Sequence, residues 1–85
     1  MKQQWTKDEV FEVVKDNIRK VMFDLPEDSI DRSKSLKDLG ANSLDRSEIA
    51  MGSMEALGLN FSLREFATVK NVEGLVDLLH EKLSL

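Results

Sequence analysis

Val10, Val14, Ile18 and Val21 recur at i, i+4, i+8 and i+11 near the start of the chain. That period is helical, and Phe11 and Met22 widen the stripe while Lys7, Asp8, Lys15, Asp16 and Arg19 fill the opposite face. A start signal precedes it. Thr6 is placed as N-cap, Glu9 can reach back to close a capping box, and Trp5 and Val10 are spaced for a hydrophobic staple. The helix is expected to stop near Phe23, because Pro26 disfavours helical geometry at Leu25. No stretch of the sequence alternates strictly between apolar and polar residues, so no strand is expected.

From Asp24 to Gly40 the chain is polar and irregular, seventeen residues counted inclusively. Connections of that length in a small domain are functional or disordered more often than not. Leu25, Ile30, Leu36 and Leu39 are spread along this one, which predicts a loop pinned to the core. A second helix is predicted from Ser43 to Leu57, ended by Gly58 in the left-handed conformation. A short helical turn over Leu63–Ala67 follows, flanked by Phe61 and Phe66. A last helix runs from Val72 to Leu83, capped by Asn71, with Val72, Leu75, Val76, Leu78 and Leu79 as its apolar stripe. The expected fold is all-α: a small four-helix bundle of three longer helices and one short one, with a long first loop.

Size and composition restrict the function. Eighty-five residues make one domain, residues 1–85, with a core too small for a deep enclosed active site. The absence of cysteine excludes disulfides, thiolate metal sites and a cysteine nucleophile. The single histidine, His80, falls in the last turns of the final helix, where an interaction with the helix dipole is expected. A net charge of −4 argues against a nucleic-acid partner, since phosphate binding requires a basic surface. The acidic Pro26–Asp31 run lacks the spacing and glycine of a calcium loop, so it reads as a solvated loop and no metal site is expected. The segment MKQQWTKDEV has no apolar core of a signal peptide and no run is long enough to span a bilayer; a cytoplasmic, monomeric protein is expected.

One local oddity remains. Asn42 and Ser43 are both good N-caps, and the second helix needs only one. If Asn42 caps, the Ser43 hydroxyl is surplus and points into solvent. It then lies beside unpaired backbone N–H groups at the positive end of a helix, a natural seat for a phosphate. Local chemistry alone favours the plainer reading, Ser43 as an ordinary helix-start residue, over a phosphate seat.

The stretch Asp38-Leu39-Gly40-Ala41-Asn42-Ser43-Leu44-Asp45 resembles the signature loop of acyl carrier proteins, D-[LF]-G-x-D-S-L-[DE]. The resemblance covers nearly the whole chain. It takes in the first helix, the long loop with an isolated Ile30, the second helix ending at Leu57-Gly58, the short third helix, and the Thr68-Val69-Lys70-Asn71-Val72 lead into the last one. It implies that Ser43 receives a 4'-phosphopantetheine arm from coenzyme A, with Asn42 as the helix cap beside the site. The arm brings the thiol that the chain lacks, and acyl intermediates ride on it as thioesters. The protein is then a substrate and shuttle, not a catalyst, and a phosphopantetheinyl transferase supplies the activation. One position departs from the pattern. Asn42 stands where most of the family has aspartate, which keeps the cap but removes a negative charge, and so bears on which transferase accepts the protein.

The second helix is expected to carry partner recognition. Ile49, Ala50, Ser53, Ala56 and Leu57 gather on one side, assigned to the core; Leu44, Ser47, Glu48, Met51, Met54 and Glu55 gather on the other. Leu44, Glu48, Met51, Met54 and Glu55 are the expected recognition residues, although both methionines also fit a helix buried nearly all round. Methionine suits adaptable binding surfaces. The resemblance implies acyltransferase, ketosynthase or hydroxymethylglutaryl-CoA-synthase-like enzymes as partners. Asn42, Arg46 and the methionines point to a discrete carrier of polyketide biosynthesis, the acetyl donor of a β-branching cassette. A fatty-acid carrier, an aminoacyl or D-alanyl carrier, and an unmodified helical adaptor are the alternatives. An adaptor would have no need of Ser43.

Overall fold

The computed structural model describes residues 4–84. Three α-helices form the frame: α1 Lys7–Val21, α2 Ser43–Leu57 and α3 Val72–Leu83. A six-residue 3₁₀ helix, Leu63–Thr68, is the fourth, shorter element, and a single 3₁₀ turn at Glu27–Ser29 lies within the long first loop. The fold is therefore the expected all-helical one. The short element is 3₁₀ rather than α, and runs one residue beyond Ala67.

Each helix starts where its capping chemistry places it. Thr6 Oγ1 accepts from the Glu9 N–H at 3.1 Å and the Glu9 carboxylate accepts from the Thr6 N–H at 2.9 Å, a complete capping box. Asn71 caps α3 by accepting from Gly74 N–H at 2.8 Å. Gly58 ends α2 at φ +70°, the left-handed position that spares glycine any Cβ penalty. Helix α1 ends at Val21, two residues before Phe23.

The core gathers Val10, Val14 and Ile18 from α1, Ile49, Met54 and Leu57 from α2, and Val72, Leu75, Val76 and Leu79 from α3. Leu78, assigned to the α3 stripe, is only half-buried, because it sits on the shoulder of that arc. Ile30 and Leu39 from the long loop are buried in the same cluster, and Leu25 and Leu36 pack against it. This loop is pinned, as its spaced apolar residues predict. Its backbone also completes α3: the carbonyls of Lys34 and Arg32 accept from the N–H groups of Val72 and Glu73, both at 2.8 Å. Those two donors have no acceptor within the helix.

Where α1 crosses α2 the contact is polar and close. Asn17, buried, donates through Nδ2 to the Val13 carbonyl at 2.9 Å. A Cβ on Gly52 would stand 2.3 Å from Asn17 Oδ1, so that approach depends on glycine. His80 lies in the last turn of α3, as expected, and makes a contact that the sequence did not indicate: its Nε2 lies 2.9 Å from the Trp5 carbonyl oxygen, which can only accept. Nε2 therefore carries the proton, and the histidine ties α3 to the residue ahead of α1.

Candidate functional site

The entry into α2 is built by a tight turn. Gly40 N–H donates to the Lys37 carbonyl at 2.9 Å and Ala41 N–H to the Leu36 carbonyl at 3.0 Å, with Gly40 at φ +99°. Leu39 and Ala41 on either side are buried, so the turn is anchored from both ends. Asn42 then caps: its Oδ1 accepts from Asp45 N–H at 2.8 Å, and Asp45 returns a carboxylate oxygen to Asn42 N–H at 3.2 Å. The cap is complete without Ser43.

The Ser43 side chain is thus left over, as the paired caps imply. It is exposed and is the first residue of α2. Ser29, Ser33 and Ser84 donate their hydroxyl protons to Pro26, Asp31 and His80, and Ser35 and Ser62 use their oxygens to cap turns. Ser53 is fully buried, and Ser47, half-buried, lines the same groove as Ser43 further along α2. Ser43 Oγ accepts a hydrogen bond from Arg46 Nη2 at 3.1 Å. The hydroxyl therefore does not simply face water: a guanidinium sits on its oxygen. Sequence reasoning noted Arg46 without giving it that place, although a spacing of three residues on a helix makes the two neighbours.

Ser43 and Arg46 stand at the lip of an open groove of about 640 Å³ between α2, the 36–37 turn and the segment from Leu63 to Leu75. Leu36, Ala50, Leu63, Phe66, Val69 and Leu75 line its apolar part. Lys37, Arg46 and Lys70 are its charged lining residues, and among the described residues no carboxylate side chain lines it. In a chain with net charge −4 that is a local reversal of sign. An exposed hydroxyl at a helix N-terminus, among cations, suits a covalently attached phosphodiester.

Along α2, Leu44, Glu48, Met51 and Glu55 form one exposed ridge, with Leu44 at 66% and Met51 at 50% of full exposure. Met54 does not belong to it. At about 100° per residue Met54 falls about 40° from Ala50, and it is buried at 7% exposure. Ala56, assigned to the core, is exposed on the opposite flank. The buried arc is rotated toward Met54 relative to the sequence expectation, so Met54 is a core residue and Ala56 is not.

Residues 12–79 match the family described as "Phosphopantetheine attachment site". The chain belongs to the acyl carrier protein family. It is 36% identical over 76 residues to the polyketide biosynthesis acyl-carrier-protein AcpK of Bacillus subtilis, covering 89% of this chain and 93% of that one. Identity to the acyl carrier protein of Petrotoga mobilis is also 36%, over 81 residues and 94% of both chains. Among solved structures it is similar to a chain in the crystal structure of the curacin biosynthetic pathway HMG synthase in complex with acetyl donor-ACP. That match has a TM-score of 0.85 at 36% identity, over 92% of this chain and all of that one. An acyl carrier protein is a carrier and not a catalyst, and its cofactor is a covalent 4'-phosphopantetheine. That group supplies the thiol on which acyl groups are held, which a chain without cysteine cannot provide itself.

Proposed function

We propose that Ser43 is the attachment residue and that the protein presents an acyl group to an enzyme similar to hydroxymethylglutaryl-CoA synthase in polyketide biosynthesis. The observation that carries the site is the double provision at the start of α2: Asn42 and Asp45 complete the cap, leaving an exposed serine hydroxyl that the cap does not use. Its oxygen attacks the pantetheine-bearing phosphorus of the coenzyme A pyrophosphate, the P–O–P bond breaks to release adenosine 3',5'-bisphosphate, and the transferase takes the serine proton. Lys37, Arg46 and Lys70 are the chain's residues placed to hold the anionic root of the arm. The pathway reading is supported by likeness to a polyketide carrier and to an acetyl donor carrier captured with its synthase. No helix among the described residues is long and apolar enough to cross a membrane.

Intact-mass analysis after incubation with coenzyme A and a promiscuous phosphopantetheinyl transferase tests the site. One phosphopantetheinyl addition is expected on the wild type and none on Ser43→Ala. Modification of Ser43→Ala, or none of the wild type, overturns the assignment. The cargo is tested by loading acetyl, malonyl and longer acyl groups and measuring transfer to such a synthase; acetyl is expected to transfer fastest.

A further inference from the structure

We infer that Arg46 is a positioning residue for the root of the arm: it holds the phosphodiester against the first turn of α2, so that the arm leaves Ser43 in a restricted direction over the groove. This rests on Ser43 being the attachment residue. Three observations carry it. The Arg46 guanidinium already lies on the atom that becomes the ester oxygen, at 3.1 Å from Ser43 Oγ. Arginine presents several N–H donors in a planar fork, so it can engage the non-bridging oxygens of a phosphodiester while remaining beside the ester oxygen. Ser43 and Leu44 are the first two helical residues, whose N–H groups have no intrahelical acceptor, and they face the same end.

Charge supplies the third observation. Among the described residues, Lys37, Arg46 and Lys70 are the charged residues that line the groove beside Ser43. The residue before the serine is the neutral Asn42, and the nearest carboxylate along the helix, Asp45, is turned back onto the Asn42 N–H at 3.2 Å. Before modification, then, the site carries uncompensated positive charge on an acidic protein. The phosphodiester supplies the missing anion. Lys37 and Lys70, as flexible ammonium groups, add to the field; the fork of Arg46 sets direction.

The test compares apo and holo forms of wild type, Arg46→Gln and Arg46→Lys at low salt. Intact mass establishes modification, hydrogen exchange of the Ser43, Leu44 and Asp45 amides reports the first turn of α2, and the 31P resonance reports the phosphodiester. Modification is expected to slow exchange of these amides in the wild type by several-fold. The slowing should be largely lost in Arg46→Gln, partly kept in Arg46→Lys, and weakened by salt in the wild type. The 31P resonance should shift between wild type and Arg46→Gln, while the melting temperatures of the apo forms stay equal, since Arg46 is exposed. Equal slowing and an unchanged 31P resonance in holo Arg46→Gln would overturn the role of Arg46 and leave Ser43 intact. A wild type that takes no addition, or takes it elsewhere, overturns both.

Discussion

Asn42 shows how one residue can keep a backbone and change a charge. Its side chain accepts from Asp45 N–H at 2.8 Å, a bond that an aspartate would make equally well. Asn42→Asp is therefore expected to leave the melting temperature nearly unchanged. Function should respond more. A carboxylate beside Ser43 would partly neutralise Arg46 and restore the charge found in most of the family. Modification by a transferase adapted to ordinary carriers is expected to accelerate, read as the initial rate of mass addition. Equal rates with several transferases would make position 42 a neutral cap. That Asn42 caps α2 and leaves the Ser43 hydroxyl outside the cap was legible in the sequence, because the doubled caps are a local signal; a role for that hydroxyl came only from the resemblance to the carrier family. The bond from Arg46 was not legible, because it depends on a side-chain rotamer that spacing allows but does not choose.

At the scale of the element, α2 is the informative helix. Its apolar residues are spread around the axis, so a division into two faces by period alone misplaces Met54 and Ala56, whereas α1, with a sharper stripe, is read correctly at Val10, Val14 and Ile18. The two methionines are now separable by experiment. Met51→Ala or Leu44→Ala is expected to slow acyl transfer to the cognate enzyme with little change in melting temperature. Met54→Ala, like Ile49→Ala, should cost about 2–5 kcal/mol of stability through lost burial and a residual cavity. Melting temperature and transfer rate measured on the same four variants decide it. If Met51→Ala and Met54→Ala melt alike, the ridge is wrongly drawn. A second helix-scale test concerns Gly52. Alanine ordinarily stabilises a helix interior by about 1 kcal/mol over glycine. Here its Cβ would meet Asn17 Oδ1 at 2.3 Å, so Gly52→Ala is expected to destabilise. Asn17→Ala combined with Gly52→Ala should recover part of the loss, a positive coupling visible in a double-mutant cycle.

Across the whole molecule, the long loop is held by more than its apolar residues. Arg32 ion-pairs with Asp8 at 2.6 Å, approaches Glu73 at 3.9 Å, and stacks over the Phe11 ring with its guanidinium carbon 4.3 Å from the centroid. One loop side chain thus touches both α1 and α3. The pinning by Ile30 and Leu39 could be read from the sequence; this hub could not, because its partners lie 24 and 41 positions away. The ion pairs are solvent-exposed on the acidic side and contribute little. The stacking on Phe11 contributes more. Arg32→Ala is expected to cost on the order of 1 kcal/mol, with Arg32→Lys recovering only part, and 1 M salt changing the wild type less than the alanine substitution does. Thermal melts of the three proteins at two salt concentrations check this. A loss fully reproduced by salt would return the effect to the ion pairs.

The bond between His80 Nε2 and the Trp5 carbonyl brings residues 75 positions apart into contact, so the segment entering α1 and the end of α3 share one pole of the bundle. The other end of α3 begins at Val72, behind Asn71, which lines the groove beside Ser43. Topologically the segment from Trp5 to His80 is therefore almost a ring, closed at the pole away from the serine. A chain break at the exposed Asn60, between α2 and the 3₁₀ helix, leaves the α1–α2 connection uncut. By the same geometry, an anchor or a neighbouring domain fused near Trp5 or His80 would leave the serine facing outward, with the full reach of its arm available to whatever docks there.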